Sequence, residues 1–160
     1  MIRQETPADG AAIRRVHLEA FPTAAEADLV DQLRQDGDVA ISLVTEMDAA
    51  VTAHVLFSPM TAPFRALSLA PVAVLTQHRR RGLAAGLIQV GLAEAAAQGW
   101  NAVFVLGDPA YYGRFGFDAD LASGFVSPYA GPYFLVKPLQ DGLPILHGSL
   151  DHASAFARLG

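Results

Sequence analysis

The sequence predicts a mixed α+β domain, α/β in its alternation, built around one central sheet. Short apolar runs recur at Ile2–Gln4, Val39–Thr45, Val51–Ser58, Ala66–Leu75, Ala102–Leu106 and Tyr133–Lys137, and each has the length and composition of a strand. Segments with apolar residues at helical spacing lie between several of them. The run Ala102–Leu106 is apolar throughout, as expected of a strand in a sheet covered on both faces. Helices interspersed with mostly consecutive strands indicate a mixed sheet.

The elements follow in order. Thr6-Pro7-Ala8-Asp9 reads as a helix start: Thr6 can cap, Pro7 suits the first helical position and Asp9 favours the positive end of the dipole. Ile13, Val16, Ala20 and Phe21 share one face with His17 beside them, and Pro22 ends the helix. A second helix covers Ala24–Gln35; Leu29, Val30 and Leu33 make its apolar face, and Glu26 sits one turn earlier on that face. Met47-Asp48-Ala49 is the turn between the second and third strands. The fourth, Ala66–Leu75, contains Pro71, which cannot donate a ladder hydrogen bond, so a bulge or a gap in pairing is expected there. A long helix runs from Gly82 to about Ala97, with Leu83, Leu87 and Val90 on one side, and Gly99 marks its end. Asp108 caps a short helix with Pro109 at its first position, and Gly113 and Gly116 limit its length. After Tyr133–Lys137, a terminal helix is expected over Asp151–Ala157.

The 160 residues form one domain of ordinary size, 1–160, and a composition 52% hydrophobic and 17% charged is that of a folded chain. With no cysteine, disulfides, thiolate metal sites and a cysteine nucleophile are excluded. The net charge of -5 argues against general nucleic-acid binding, which needs a broad basic face. The N-terminus lacks the basic-then-apolar pattern of a signal peptide. No apolar run reaches the ~20 residues of a membrane helix, so the cytoplasm is the expected location. No His/Asp/Glu cluster has metal-ligand spacing.

The densest basic run is His78-Arg79-Arg80-Arg81, between the Pro71-containing strand and the long helix. N–H groups at a helix start make an anion site, Gly82 lets backbone approach a phosphate, and the arginines can add bidentate contacts. Spacing alone serves equally well for a solvated basic turn before an ordinary helix. Arg79-x-x-Gly82-x-Ala84, however, is similar to the signature Gln/Arg-x-x-Gly-x-Gly/Ala of the GNAT superfamily of N-acetyltransferases. Downstream, Gly107-Asp108-Pro109-Ala110-Tyr111-Tyr112-Gly113-Arg114-Phe115-Gly116-Phe117 resembles the family segment after the fifth strand, in the wording of one bacterial branch. His54-Val55-Leu56-Phe57-Ser58-Pro59 and the helix carrying Glu26, Leu33 and Arg34 resemble that branch too. Arg80 stands where the family often has Gly, Ala84 closes the motif, and the turn at Met47–Ala50 lacks the usual glycine.

The resemblance implies a central twisted mixed sheet of about six to seven strands, splayed between the fourth and fifth and flanked by helices. It implies acetyl-CoA as cosubstrate and no metal. The pyrophosphate would sit on Arg79, Arg80, Arg81, Gly82, Leu83 and Ala84, and the pantetheine arm along Val72, Ala73 and Val74, with Tyr111 and Tyr112 beside it. The acceptor would be a small-molecule or peptide amine, and such relatives are often homodimers. A non-catalytic acyl-CoA sensor is the alternative function.

The chemistry then sets requirements. An amine of pKa about 10.4 is neutral only to about one part in a thousand near pH 7.4, so a base or a water relay must take a proton. The leaving thiolate needs an acid, and Tyr112 matches the family tyrosine, with Tyr111 as its neighbour and competitor. Glu26, His54 and His17 are candidate bases. Glu26 reads equally as a helix-end charge reaching water, and the two histidines read more readily as buried structural groups. Ser68 is a poor base, His78 belongs with the phosphate loop, and Asp108 is a cap.

Overall fold

The computed structural model describes residues 1–159. Its strands are β1 (Ile2–Gln4), β2 (Ile41–Met47), β3 (Ala50–Met60), β4 (Ala66–Val74), β5 (Ala102–Leu106), β6 (Phe125–Val126), β7 (Phe134–Pro138) and β8 (Gly148–Ser149). The main sheet has six strands in the order β1-β2-β3-β4-β5-β7, and β6 and β8 form a separate parallel pair. Within the main sheet only β4 and β5 run parallel, and they pair only from Ala66–Ser68 to Ala102–Phe104. Beyond Ser68 the two strands part, while β5 stays paired with β7 as far as Leu106.

Pro71 explains part of this geometry. Between the pairs Val55↔Val72 and Phe57↔Leu69, β4 spends one residue more than β3. The bulge lies where proline lacks an N–H to give, as the sequence led us to expect. At the other end of β3 the hairpin turn is made by Asp48 (φ 51°) and Ala49 (φ 63°), both left-handed. That is the backbone of a two-residue hairpin turn, so the strands extend closer to the turn than their apolar runs suggest.

Helices cover both faces. On one, α1 (Gly10–Ala20) and α2 (Ala25–Gln35) pack Ile13, Leu29 and Leu33 against Val44 and Leu56. On the other, α3 (Leu83–Ala97) packs Leu87 and Ile88 against Val55, Phe57 and Leu67. The alternation of β3 thus sends Val55 and Phe57 one way and Leu56 the other. A Cβ on Gly91 of α3 would come within 2.6 Å of Phe57 Cζ, so the glycine sets the helix-to-sheet distance. Overpacking there costs about 1–3 kcal/mol. Two short helices, α4 (Pro109–Tyr112) and α5 (Ala119–Ala122), follow β5.

Three expectations are corrected. Pro7–Asp9 is a 3-10 turn and α1 proper starts at Gly10. Asp9 does more there than favour a dipole: its carboxylate accepts the Thr6 N–H at 2.6 Å and pairs with the Arg3 guanidinium at 2.8 Å. Arg3 holds that carboxyl well below the usual carboxylate range. The terminal helix starts later and is a 3-10 helix, Ser154–Leu159. Asp151 exchanges two backbone hydrogen bonds with Thr61 (2.9 Å each), which keeps it extended. The stretch read only as turn-rich contains α5 and the β6–β8 pair. No described helix is long and apolar enough to cross a membrane.

Candidate active site

The parting of β4 from β5 leaves an open strand edge. Leu75 donates its N–H to Thr52 of β3 at 2.9 Å, and the register is regular from Val72 to Val74. Successive residues of a strand point their N–H and C=O groups to opposite edges, so those of Val72 and Val74 face the gap. A cleft of about 490 Å³ lies along this edge, walled by Val72, Ala73, Val74, the loop after β4, the first turn of α3 and Tyr111.

The loop after β4 turns on left-handed backbone. Gly82 (φ 74°) and Arg80 (φ 64°) are both left-handed, and Gly82 is the residue from which α3 starts. A Cβ on Gly82 would meet nothing within 4 Å, so the glycine serves the backbone conformation and the open space outside it. The first N–H groups of a helix have no partner within it, and the fifteen-residue α3 aims its dipole into the cleft, where Gly82, Leu83 and Ala84 form the wall. His78 also lines the cleft, and its Nδ1 is buried without a hydrogen bond. The arginines differ among themselves. Arg79 donates to the Ala20 carbonyl at 3.2 Å and ties the loop to the end of α1. Arg80 lines the cleft, whereas Arg81 is exposed and lies outside its lining.

A second cavity, about 300 Å³, opens on the α2 side of β4 and shares Val72 and Phe21 with the first. Tyr112 is in its wall. Asp108 caps α4 by accepting the Ala110 N–H at 3.0 Å, and the Tyr112 ring then lies over Gly107, where a Cβ would come within 2.8 Å of Tyr112 Cδ2. Burial, and then the neighbouring Tyr111, push the Tyr112 phenol up to about 12, so it keeps its proton at neutral pH. Tyr111 stands edge-on to Tyr112 at 5.0 Å, carries the Arg114 guanidinium at 4.8 Å, and faces the first cleft.

Glu26 lines the second cavity from α2, and its Oε1 is buried without a partner among the described residues. Ser68, the last β4 residue paired with β5, is buried in the same wall. His152 and Tyr129 complete the polar lining. Their rings meet edge-on at 4.8 Å, His152 Nδ1 is buried and unbonded, and burial pulls the His152 pKa down against the opposing pull of Asp151.

His54 is elsewhere. It lies between β3 and α1, fully buried, with Nδ1 at 2.8 Å from His17 Nε2 and Nε2 at 2.7 Å from Ser42 Oγ. Ser42 in turn bonds Glu5, which Arg34 holds through two hydrogen bonds. Burial lowers the pKa of both histidines, that of His17 to about 3, so the pair is neutral and shares one hydrogen bond as donor and acceptor. Neither histidine lines either cavity.

The structure thus brings together Val72, Ala73, Val74, Arg79, Arg80, Gly82, Leu83, Ala84 and Tyr111 around one cleft, and Glu26 and Tyr112 around the other. Sequence reasoning missed Phe21 as a shared wall, and Tyr129 and His152 altogether. The only local signal for His152 is its place just before the mostly small and apolar Ala153-Ser154-Ala155-Phe156, which does not distinguish a cavity from a core.

Comparisons with known proteins accord with this geometry. Residues 11–117 match the Acetyltransferase (GNAT) family. The uncharacterized N-acetyltransferase YhbS of Escherichia coli is 40% identical over 122 residues, covering 74% of this chain and 73% of that protein. The crystal structure of E. coli YhbS in complex with CoA superposes with a TM-score of 0.92 at 35% identity, covering 100% of this chain and 93% of the other. A GNAT acetyltransferase from Brucella melitensis in complex with acetyl-CoA gives a TM-score of 0.83 at 32% identity over 98% of this chain and 97% of its own. By its match over residues 11–117 and its likeness to YhbS, the chain belongs to the GNAT acetyltransferase family.

Proposed function

We propose that residues 1–160 act as one domain that moves an acetyl group from acetyl-CoA to an amine by direct attack. The observation that carries this is the open β4 edge at Val72 and Val74, running from the start of α3 to the wall that holds Tyr112. Acetyl-CoA supplies an acetyl thioester when bound, as in the B. melitensis relative.

The residues present suit that ligand. The α3 N-terminus and the left-handed backbone at Arg80 and Gly82 offer N–H groups to a pyrophosphate, and the unbonded His78 Nδ1 lies in the same wall. Val72 and Val74 offer N–H and C=O groups to an extended amide-bearing arm, as a neighbouring strand would. The Val74 N–H is available to the charge that develops on the carbonyl oxygen.

On the other side, Glu26 receives a proton from the incoming ammonium. The nitrogen bonds to the acetyl carbon as the carbon–sulfur bond breaks, and Tyr112 gives its phenolic proton to the sulfur. The nitrogen loses a second proton, which restores Tyr112 through solvent, and Glu26 gives up its proton to solvent as the amide leaves. With its pKa pushed up to about 12, Tyr112 holds its proton at neutral pH. Even the fully formed thiolate, with a free pKa of about 8.5, is the weaker base, so the transfer is uphill on its own and is drawn on by the acidic second proton of the acylated nitrogen, which returns to Tyr112. The acids and bases all lie within the chain, and the cytoplasm, where acetyl-CoA is made available, is the location this reading implies.

The test is release of free CoA thiol from acetyl-CoA in the presence of a broad amine panel. Amine-dependent release, lowered about a hundredfold or more in Tyr112→Phe, is expected. Cofactor binding without release against any amine would favour a sensor.

A further inference from the structure

The cavity on the α2 side of β4 has a wall that is mainly apolar, formed by Phe21, Leu29, Leu106, Phe156 and Leu159. Its polar groups are few and of one kind in charge: among the described lining residues Glu26 is the one acid and none is lysine or arginine. Glu26 Oε1 is buried and has no hydrogen-bond partner among the described residues. A carboxylate oxygen left without a donor is unfavourable, and a cationic N–H donor is the partner that relieves it best. The aromatic rings of Tyr129 and Phe156 stand 4.8 and 5.2 Å from the His152 ring, so one end of the cavity is walled by a packed group of rings. His152 is kept neutral by burial and adds no positive charge that would repel a cation or attract an anion.

Size and charge together select a ligand. At about 300 Å³ the cavity is at the small end of ligand sites and holds one ring or a short chain, not an extended polycation. A carboxylate on the acceptor would be buried beside Glu26 with no cation to pair it. We infer that this cavity takes a small primary amine with an apolar or aromatic body and no carboxylate, its ammonium on Glu26 and its body between the Tyr129–His152–Phe156 rings and the leucines. The inference rests on the acetyl-transfer reading and names the acceptor class of that same site.

The experiment is calorimetric titration of three amines into the protein saturated with CoA: 2-phenylethylamine, phenylalanine, which adds a carboxylate to the same body, and spermidine, which has charges but no apolar body. 2-Phenylethylamine should bind at least tenfold more tightly than either of the others. Glu26→Gln should weaken it about tenfold without changing the CoA titration. Leu106→Arg, a change at an exposed rim position, should shift the preference toward phenylalanine. Equal or tighter binding of phenylalanine or spermidine, no binding of 2-phenylethylamine, or an indifferent Glu26→Gln would each overturn the assignment. Thiol release from acetyl-CoA, measured on the same amines, separates the two readings. An amine that binds as expected and is never acetylated overturns the acetyl-transfer reading alone, and acetylation without the expected preference overturns the acceptor class alone.

Discussion

The two cavities that flank β4 differ in what they are made of. On the α3 side the groups proposed to bind the cofactor are main chain: the open edge at Val72 and Val74, the left-handed Arg80 and Gly82, and the N–H groups that begin α3. On the α2 side they are side chains, drawn from α2 (Glu26), β4 (Ser68), α4 (Tyr112) and the C-terminal segment (His152). A main-chain site recognises what every acyl-CoA shares, a pyrophosphate and an amide-bearing arm. It tolerates side-chain change because its donors are not side chains. A side-chain site changes its ligand with one substitution, so on the proposed reading the acceptor is set on that side.

This contrast can be broken in graded ways. The largest effect is expected from Tyr112→Phe, which removes the acid and little volume. Turnover should fall about a hundredfold or more, within the range for general acids, while acetyl-CoA affinity holds. Steady-state thiol release together with calorimetry measures the two sides separately. Gly82→Asp attacks the other side. A side chain at φ 74° is strained, and its charge opposes the pyrophosphate. Affinity for acetyl-CoA should fall about tenfold or more, which is about 1.4 kcal/mol. Gly107→Ala is subtler: the added methyl displaces the Tyr112 ring. Turnover should drop about tenfold with binding unchanged, and an unchanged turnover would mean that the ring position does not matter.

The smallest effect concerns neither cavity. His17 has its folded-state pKa lowered to about 3, from about 6.5 when unfolded, chiefly by burial. The folded chain therefore binds fewer protons, so the stability from neutral His17 is present above pH 6.5 and is lost as pH falls toward 3. Between pH 6.5 and 5.5 that loss is about 1 kcal/mol, and His54 acts in the same direction. Thermal melts across this range should show the decline, and His17→Gln should flatten it.

The same contrast explains what was legible in the sequence. Gly82, Pro71, Asp108 and Pro109 each act on their own backbone within a few residues, so their consequences could be read locally: a helix start, a bulge, a capped turn. The strand–loop–helix unit followed from them. The acceptor cavity has no such local cause. Glu26 and His152 meet only because β4 leaves β5 and because the segment after β8 folds back over α2, and no spacing announces that. The terminal helix was placed too early for a related reason, since the Thr61–Asp151 bridge that holds its start extended is a contact between distant residues. His54 shows the reverse: its reading as a buried structural group needs no distant contact, but only the structure supplies His17 and Ser42 as its partners. Arg79 and Arg81 were indistinguishable as letters, and the fold uses one to tie the loop to α1 and leaves the other in solvent.

The central claim is that backbone geometry at the start of α3, rather than the basic side chains beside it, holds the cofactor. Isothermal titration of acetyl-CoA into the wild type, Gly82→Asp and Arg81→Gln tests this directly. Saturable binding to the wild type, a loss of about tenfold or more in Gly82→Asp, and a change within about threefold in Arg81→Gln are expected. No binding to the wild type at millimolar acetyl-CoA, or a greater loss in Arg81→Gln than in Gly82→Asp, would contradict it.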